Sequence, residues 1–299
     1  MDISIIGMPL FYGCDRAGVE KGPDILRENN LDKILGKNHY VTDLGNIDVD
    51  YIESKDKFLE NDKLKYLKQV VDANNRLASK VYEALTNNTL PFIIGGDHSL
   101  ALGSIAGSSK YYGNDLGVIW IDAHGDINTE TTSPSGNIHG MPLAASMGIG
   151  YEKLTSIFFD DFKVKPENVF IIACRDLDQG EVELIEKLKI NVWNIDDIQN
   201  GNLDQIIADL LSMIKENNIK NIHLSYDIDC LDPEYVPGTG TPVENGLTFE
   251  ESKKLLKSIL GTSLVKSIDF VEYNPELDLN NKTKETCIEL LNIISAELK

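Results

Sequence analysis

Short apolar runs alternate with helical patterns along this chain, and this alternation restricts its fold more than any other feature. The runs lie near residues 3–9, 91–96, 116–122, 168–176, 190–196, 221–227 and 264–275. Helical spacing of apolar residues occurs near residues 23–35, 61–87, 181–189, 203–217, 248–260 and 282–298. Strands that are apolar on both faces are typical of a parallel sheet covered by helices. We therefore predict an α/β protein, a three-layer α/β/α arrangement with a mostly parallel central sheet, formed by residues 1–299 as one domain.

The charge balance narrows the range of partners. The chain carries 28 Lys and Arg against 48 Asp and Glu, a formal net charge of -20. Because an acidic protein repels phosphate backbones and anionic membrane surfaces, we expect neither nucleic acid nor membrane as a partner. A small cationic substrate is favoured, although acidic surfaces also serve solubility alone.

Cysteine use and the amino-terminal segment bear on location. No CxxC pair occurs among the four cysteines, so neither a zinc site nor a disulfide framework is predicted. The amino terminus has Asp2 in place of a basic leader, and no stretch approaches the ~18 consecutive apolar residues of a membrane span. We therefore expect a cytoplasmic protein.

Three polar segments follow predicted strands: GGDHS at 95–99, DAHGD at 122–126 and SYDID at 225–229. Side chains two residues apart in extended backbone point the same way, so those within one segment can converge. An isolated aspartate after a strand is more often a helix cap, but six such residues are better explained by two divalent cations. Carboxylate-rich ligands without thiols favour manganese ahead of magnesium or calcium, and the two imidazoles favour manganese, cobalt or iron over calcium. The candidate metal ligands are His98, Asp122, His124, Asp126, Asp227 and Asp229.

In motif content and order, the chain resembles the arginase family of manganese-dependent ureohydrolases. The shared motifs, in chain order, are RAGVEKGPDILR, GGDHS, DAHGDIN, SPSGNIHGMPL, SYDIDCLDP, GTGTP and VEYNP. GGDHS alone is moderately specific, whereas the ordered set is very specific and spans essentially the whole chain. The resemblance implies an arginase-like fold, with the metal site at the carboxyl ends of the strands.

The resemblance also implies two Mn²⁺ per subunit and a hydroxide that bridges them. One ion would be held by His98, Asp122, Asp126 and Asp227, and the other by Asp122, His124, Asp227 and Asp229. Asp122 and Asp227 would bridge the ions. The implied reaction is hydrolysis of the guanidinium group of L-arginine to L-ornithine and urea.

Further roles follow from the same resemblance. Glu272 would pair with the guanidinium nitrogens, Asp126 would pass a proton to the departing amine, and His139 would shuttle protons. An unperturbed histidine pKa of ~6.5 suits such a shuttle. Thr241 would lie close to the bound substrate.

The resemblance assigns two segments to the amino-acid end of the substrate. The neutral side chains Asn128, Ser135 and Asn137 would hold the α-carboxylate, directly or through water. The acidic residues that would face the α-amino group are Asp176, Asp178 and Glu181.

Three alternative functions remain at this stage. Another ureohydrolase, such as an agmatinase or guanidinobutyrase, would share the metal ligands but lack the loop for the amino-acid end. A binuclear phosphoesterase would need cations for phosphate, yet of the four arginines only Arg175 lies in a segment assigned to the site. A nonenzymatic metal or amino-acid sensor is disfavoured by the presence of Asp126, His139 and Glu272.

One position departs from the family pattern and bears on assembly. The chain has Glu250 where many arginases have an arginine used between subunits. Because Glu250 and Glu251 would repel their counterparts across a symmetric contact, the oligomeric state stays open between the trimer or hexamer of the family and a monomer.

Overall fold

A single eight-stranded sheet forms the centre of the structure, a computed structural model that describes residues 1–299. All pairings are parallel, and the strand order is β2-β1-β3-β8-β7-β4-β5-β6. The strands are β1 (Asp2–Met8), β2 (Tyr40–Asn46), β3 (Leu90–Gly95), β4 (Leu116–Ile121), β5 (Val169–Cys174), β6 (Asn191–Asn194), β7 (Asn221–Asp227) and β8 (Val265–Val271). The predicted α/β class with a parallel central sheet is confirmed.

Helices cover both faces of this sheet. They are α1 (Gly22–Glu28), α2 (Leu31–Leu35), α3 (Leu67–Thr86), α4 (Ala101–Tyr112), α5 (Pro142–Ser146), α6 (Glu152–Thr155), α7 (Gln179–Leu188), α8 (Ile195–Asp197), α9 (Leu203–Glu216), α10 (Phe249–Leu260) and α11 (Lys282–Glu297). One apolar core contains residues of α1, α2, α9, α10 and α11, and the other face carries residues of α3, α4, α5 and α6. None of the helices is both long and apolar enough to cross a lipid bilayer.

Strand β4 shows why the apolar runs are continuous. Val118 and Trp120 pack into the core on one face, whereas Ile119 and Ile121 pack into the core on the other. All four are fully buried. Alternate residues of a strand face opposite sides, so a strand buried on both sides must be apolar at every position.

The structure corrects several predicted boundaries. Strand β2 was not predicted, because it is an exposed edge strand with a polar sequence. The predicted helix over 23–35 is two helices, separated where Asn30 adopts a left-handed backbone conformation. The predicted helix over 61–87 begins only at Leu67, since Asn61 accepts hydrogen bonds from the backbone N–H groups of Lys63 and Leu64 and forms a turn instead.

Helix α4 was also not predicted, and its glycines explain its close packing on α3. Gly103 and Gly107 lie four residues apart and so share one face of the helix. The N–H of Gly103 donates to Asn74 Oδ1 at 2.7 Å. A Cβ atom at Gly107 would lie 2.5 Å from the carbonyl oxygen of Ala78 and 2.8 Å from Val81 Cβ. The two helices therefore approach each other at positions that exclude a side chain.

We expect Gly107→Ala to destabilise the protein, although alanine is the better helix former by about 1 kcal/mol. The added methyl group would meet the backbone of α3, and such overpacking costs about 1–3 kcal/mol. The measurement is the midpoint of denaturant unfolding. A midpoint equal to or above that of the unsubstituted protein would show that the helices can separate at little cost.

Candidate metal centre and active site

The candidate site lies at the carboxyl end of the sheet, the edge where parallel α/β sheets bind ligands. His98 follows β3, Glu272 follows β8, Asp227 ends β7, Asp122 follows β4, and Asp176 follows β5. These strands are adjacent in the order β3-β8-β7-β4-β5. The five side chains are therefore brought together by strands that are distant in sequence.

The aspartates after β4 and β7 organise the local backbone with one oxygen. Asp122 Oδ1 accepts a hydrogen bond from the N–H of His124 at 2.7 Å, and Asp227 Oδ1 accepts one from the N–H of Asp229 at 2.8 Å. Each of these two hydrogen bonds closes a local turn of the kind that aspartate favours. The second oxygen of each carboxylate stays available to the site, so capping and metal binding are compatible here.

Two buried groups of ligand atoms share Asp122. In one, His98 Nδ1 lies 2.9 Å from Asp122 Oδ2 and 3.1 Å from Asp227 Oδ2. In the other, His124 Nδ1 lies 3.3 Å from Asp122 Oδ1 and 3.2 Å from Asp229 Oδ2. The ligand atoms of each group lie within 4.8 Å of one another, close enough for each group to hold a metal ion.

Asp126 completes the cluster, with Oδ2 3.2 Å from His98 Nδ1. The structure thus brings together all six predicted ligands. The second metal-bridging role, predicted for Asp227, stays a prediction, because only Asp122 belongs to both groups.

The donor set fits divalent cations. His98 Nδ1 and Asp122 Oδ2, although 2.9 Å apart, are buried and form no hydrogen bond with each other or with another group, which is costly unless another species satisfies them. Burial, with repulsion from Asp122, raises the pKa of Asp126 to about 6, and burial with repulsion from Asp229 raises that of Asp227 well above its usual value. A site that crowds four carboxylates together favours bound positive charge.

Two residues that the sequence did not single out position His98. Its Nε2 lies 2.7 Å from Ser225 Oγ, and its ring stacks on that of Trp120 at 3.9 Å and 6°. These contacts aim Nδ1 at the carboxylates, as hydrogen-bonded partners of metal ligands commonly do. A signal for Ser225 was present, because it lies two residues before Asp227 and therefore faces the same side of β7.

Glu272 lies beside the metal ligands in a strained backbone conformation. Its Oε1 accepts a hydrogen bond from the N–H of His98 at 2.8 Å and lies 3.4 Å from His139 Nδ1. The φ angle of Glu272 is 66°, and that of Asp126 is 52°. Such left-handed conformations cost about 1–3 kcal/mol in residues other than glycine, and they cluster at functional sites. Burial lowers the pKa of His139, but the hydrogen bond and charge of Glu272, together with the charges of Asp126 and Asp97, outweigh burial, and the pKa is raised.

The segment predicted to hold a carboxylate forms one wall of the site. Residues 128–137 contain no helix or strand, and a short 3-10 helix follows at Ile138–Gly140. Asn128 donates to Asp178 Oδ2 at 2.8 Å, and Asn137 donates through Nδ2 to the carbonyl oxygen of Cys14 at 3.1 Å. Ser135 Oγ accepts from the N–H of Asn137 at 3.2 Å.

The acidic residues after β5 form the opposite wall. Asp176 Oδ2 lies 4.0 Å from His124 Nε2. Both oxygens of Glu181 accept hydrogen bonds from the backbone, from Ile127 at 3.1 Å and Asp178 at 2.9 Å. Glu181 therefore joins the two walls, and its predicted contact with an α-amino group stays a prediction. Thr241 donates to Asp229 Oδ2 at 3.1 Å, beside the metal ligands.

A cavity of about 130 Å³ lies between these walls, and apart from Pro134 and Gly140 its lining residues have polar side chains, with no Lys or Arg among them. It is lined by every residue predicted for the site except Asp122 and Asp229, which are buried. Arg175 points elsewhere, because its Nη2 donates to the carbonyl oxygens of Asp229 at 2.7 Å and Val243 at 2.8 Å. Asp97, the remaining aspartate of GGDHS, accepts from the N–H of Gly13 at 2.8 Å and has a structural role.

Comparison with known proteins agrees with this geometry. The model of the arginase family matches residues 1–295. The arginase of Bacillus subtilis (strain 168) is 42% identical over 290 residues, which are 97% of this chain and 96% of that protein. The chain belongs to the arginase family.

Solved arginase structures have the same fold. That of Bacillus caldovelox superposes with a TM-score of 0.92 at 40% identity, covering 99% of this chain and 98% of that one. The arginase of Entamoeba histolytica, solved in complex with L-ornithine, gives a TM-score of 0.89 at 32% identity, covering 98% of each chain. The arginase family consists of binuclear metal enzymes, and the two groups that share Asp122 are the candidate metal-binding groups of this chain.

We expect Asp122→Asn to abolish binding of both divalent cations, since Asp122 is the one residue common to both groups. His124→Asn should remove one cation, because His124 belongs to a single group. Metal analysis of dialysed protein measures the stoichiometry, and added metal should raise the melting temperature of the unsubstituted protein by mass action. Equal metal content in the two variants would contradict the shared role of Asp122.

Glu181 should make stability depend on pH. Burial raises its pKa to about 7. Because this exceeds the unfolded value of ~4.3, the native state holds the extra proton, and that stabilisation is lost as the pH rises from about 4 through 7. The stability of the unsubstituted protein relative to Glu181→Gln should therefore fall between pH 5 and pH 8. Denaturant unfolding at both pH values measures it, with the exposed Glu183→Gln as a control that shows no such change.

Proposed function

We propose that this protein hydrolyses the guanidinium group of L-arginine to L-ornithine and urea, with two Mn²⁺ per subunit and residues 1–299 acting as one catalytic domain. One observation supports this above all. Glu272, a buried carboxylate, lies against His98 at the base of a polar cavity, directly beside the two groups that share Asp122.

The position of Glu272 suits a guanidinium substrate. Two bound divalent cations supply water that is acidic enough to become a nucleophile near neutral pH. A guanidinium is planar, stays protonated, and presents paired N–H donors that match a carboxylate. Glu272 is 2% exposed, so its pairing with such a cation occurs away from competing water. It would hold the guanidinium carbon over the metal groups.

Two further residues are placed to move protons. Asp126 is next to His98, on the metal side of the cavity, and His139 contacts Glu272 on the other side. Asp126 would take the proton released by the attacking water and deliver it to the departing nitrogen of the ornithine product. His139, with 19% of its side chain exposed, would exchange protons with solvent.

The two walls of the cavity favour an amino acid over a simple amine. Amide and hydroxyl groups of Asn128, Ser135 and Asn137 line one side, and Asp176, Asp178 and Glu181 line the other. Agmatine has no α-carboxylate, so the donors on the first wall would be left unpaired, and a site of this kind discriminates against the substrate that lacks the group. A phosphoesterase is not supported, because no Lys or Arg lines the cavity.

We also propose a cytoplasmic location, supported by four cysteines that are all free. As to assembly, Glu250 is exposed and pairs with Lys253 of the same helix at 3.0 Å. Like charges at position 250 disfavour the subunit contact of the family, which leaves a monomer open to this chain. Light scattering on the metal-loaded protein would decide its mass.

The decisive assay is urea release from L-arginine by the apo protein and after Mn²⁺ addition. We expect activity only with metal, and a kcat/KM for L-arginine at least about 100-fold above that for agmatine. Glu272→Gln keeps the side-chain shape but removes the charge, so kcat/KM should fall by at least about 100-fold. Glu276→Gln, at an exposed site four residues later, is the matched control. Absence of urea under both conditions would refute the proposal, and preference for agmatine would redirect it to another ureohydrolase.

A further inference from the structure

A lysine that lies outside the shared motifs contacts the cavity wall formed by residues 128–137. Lys65 precedes α3, and its Nζ donates to Asn137 Oδ1 at 2.8 Å. The same Nζ lies 3.1 Å from Asp15 Oδ2, and the side chain is only 16% exposed. Lys65 does not line the cavity itself. It therefore acts on the cavity only through Asn137.

The contacts of Asn137 determine which way its amide points. A lysine ammonium can only donate, so the atom that it contacts must be the amide oxygen. The carbonyl oxygen of Cys14 can only accept, so its neighbour at 3.1 Å must be the amide nitrogen. One hydrogen on Nδ2 is used by Cys14, and the second stays free on a side chain that lines the cavity. The amide thus presents a donor, as a carboxylate ligand requires.

Backbone contacts fix the position of Lys65 relative to the loop of residues 128–137. The N–H of Lys65 donates to the carbonyl oxygen of Gly136 at 3.1 Å. Gly136 has a φ of 71°, and a Cβ atom there would overlap the carbonyl oxygen of Lys63. Only glycine permits both the conformation and the close approach. The segment before α3 and the loop before His139 therefore behave as one unit.

We propose that Lys65 is a positioning residue for substrate selectivity, which orients the amide of Asn137 so that its free N–H faces the α-carboxylate of the substrate. This inference rests on the proposed function. Lys65 would thus be a cation that supports a wall of neutral donors, and a determinant of selectivity that lies outside the cavity. Without Lys65, the carbonyl oxygen of Cys14 alone would hold the amide of Asn137, and an amide that rotated away from it would present its oxygen, which would repel a carboxylate.

The test compares Lys65→Met with Lys57→Met in the Mn²⁺-loaded enzyme. Lys57 also pairs with Asp15, at 2.7 Å, but it makes no contact with Asn137, so it is a matched control. In Lys65→Met we expect KM for L-arginine to rise about tenfold, the loss typical of one buried hydrogen bond, while kcat stays within about threefold. The inhibition constant of agmatine, a competitor without a carboxylate, should not change. Lys65→Arg retains a donor and should keep KM close to that of the unsubstituted enzyme.

Each alternative outcome overturns the inference. An unchanged KM in Lys65→Met would show that Asn137 is oriented without Lys65. Equal weakening of L-arginine and agmatine would indicate general damage to the site, and an equal effect of Lys57→Met would indicate long-range charge or the Asp15 pair. A Lys65→Arg enzyme as impaired as Lys65→Met would likewise refute it. If the unsubstituted enzyme does not hydrolyse L-arginine at all, the proposed function itself is refuted. The outcomes above, in contrast, refute only the role of Lys65.

Discussion

The structure depends on the burial of four carboxylates around two imidazoles. Burial of these carboxylates away from water, together with their mutual repulsion, raises the pKa values of Asp126 and Asp227. Divalent cations held by these candidate ligands would compensate the charge of the cluster, which would couple metal binding to the stability of this edge of the sheet. Contacts such as the stacking of Trp120 on His98 serve to keep the ligand atoms aimed at one place.

The parallel sheet explains why such a cluster can form. Strands β3, β8, β7, β4 and β5 are adjacent and run the same way, so the residues that follow them meet at one edge. The apolar strands supply rigidity, and the strain at Asp126 and Glu272 is sustained by the buried contacts on either side. A rigid edge of this kind can hold side chains in conformations that an isolated loop would not keep.

Sequence predicted the ligands because each motif directly follows an apolar run, which fixes both its position and its direction. The prediction of helices failed where the local sequence pattern and the tertiary packing disagree. Leu64 and Leu67 have helical spacing, yet Tyr66 between them has a φ of 50° and the helix starts only afterwards. Helix α4 was not predicted because its glycines and serines are buried against neighbouring helices and show no polar face. The position of Lys65 was beyond prediction for the same reason, since the turn that aims it was mistaken for helix.

The candidate metal ligands and the cavity walls come from different parts of the fold, and this difference separates their proposed roles. The candidate metal ligands and Glu272 come from strand ends, and in the proposed function they act only on the guanidinium group and water. The walls come from loops, whose side chains bond mainly to each other and to backbone, as in the contact of Asn128 with Asp178 and that of Glu181 with Ile127. A change in these loops can alter which guanidinium compound is accepted without disturbing the metal groups. Under the proposed function, selectivity would therefore depend on how firmly the loops are held, both by contacts between residues that line the cavity and by Lys65 outside it.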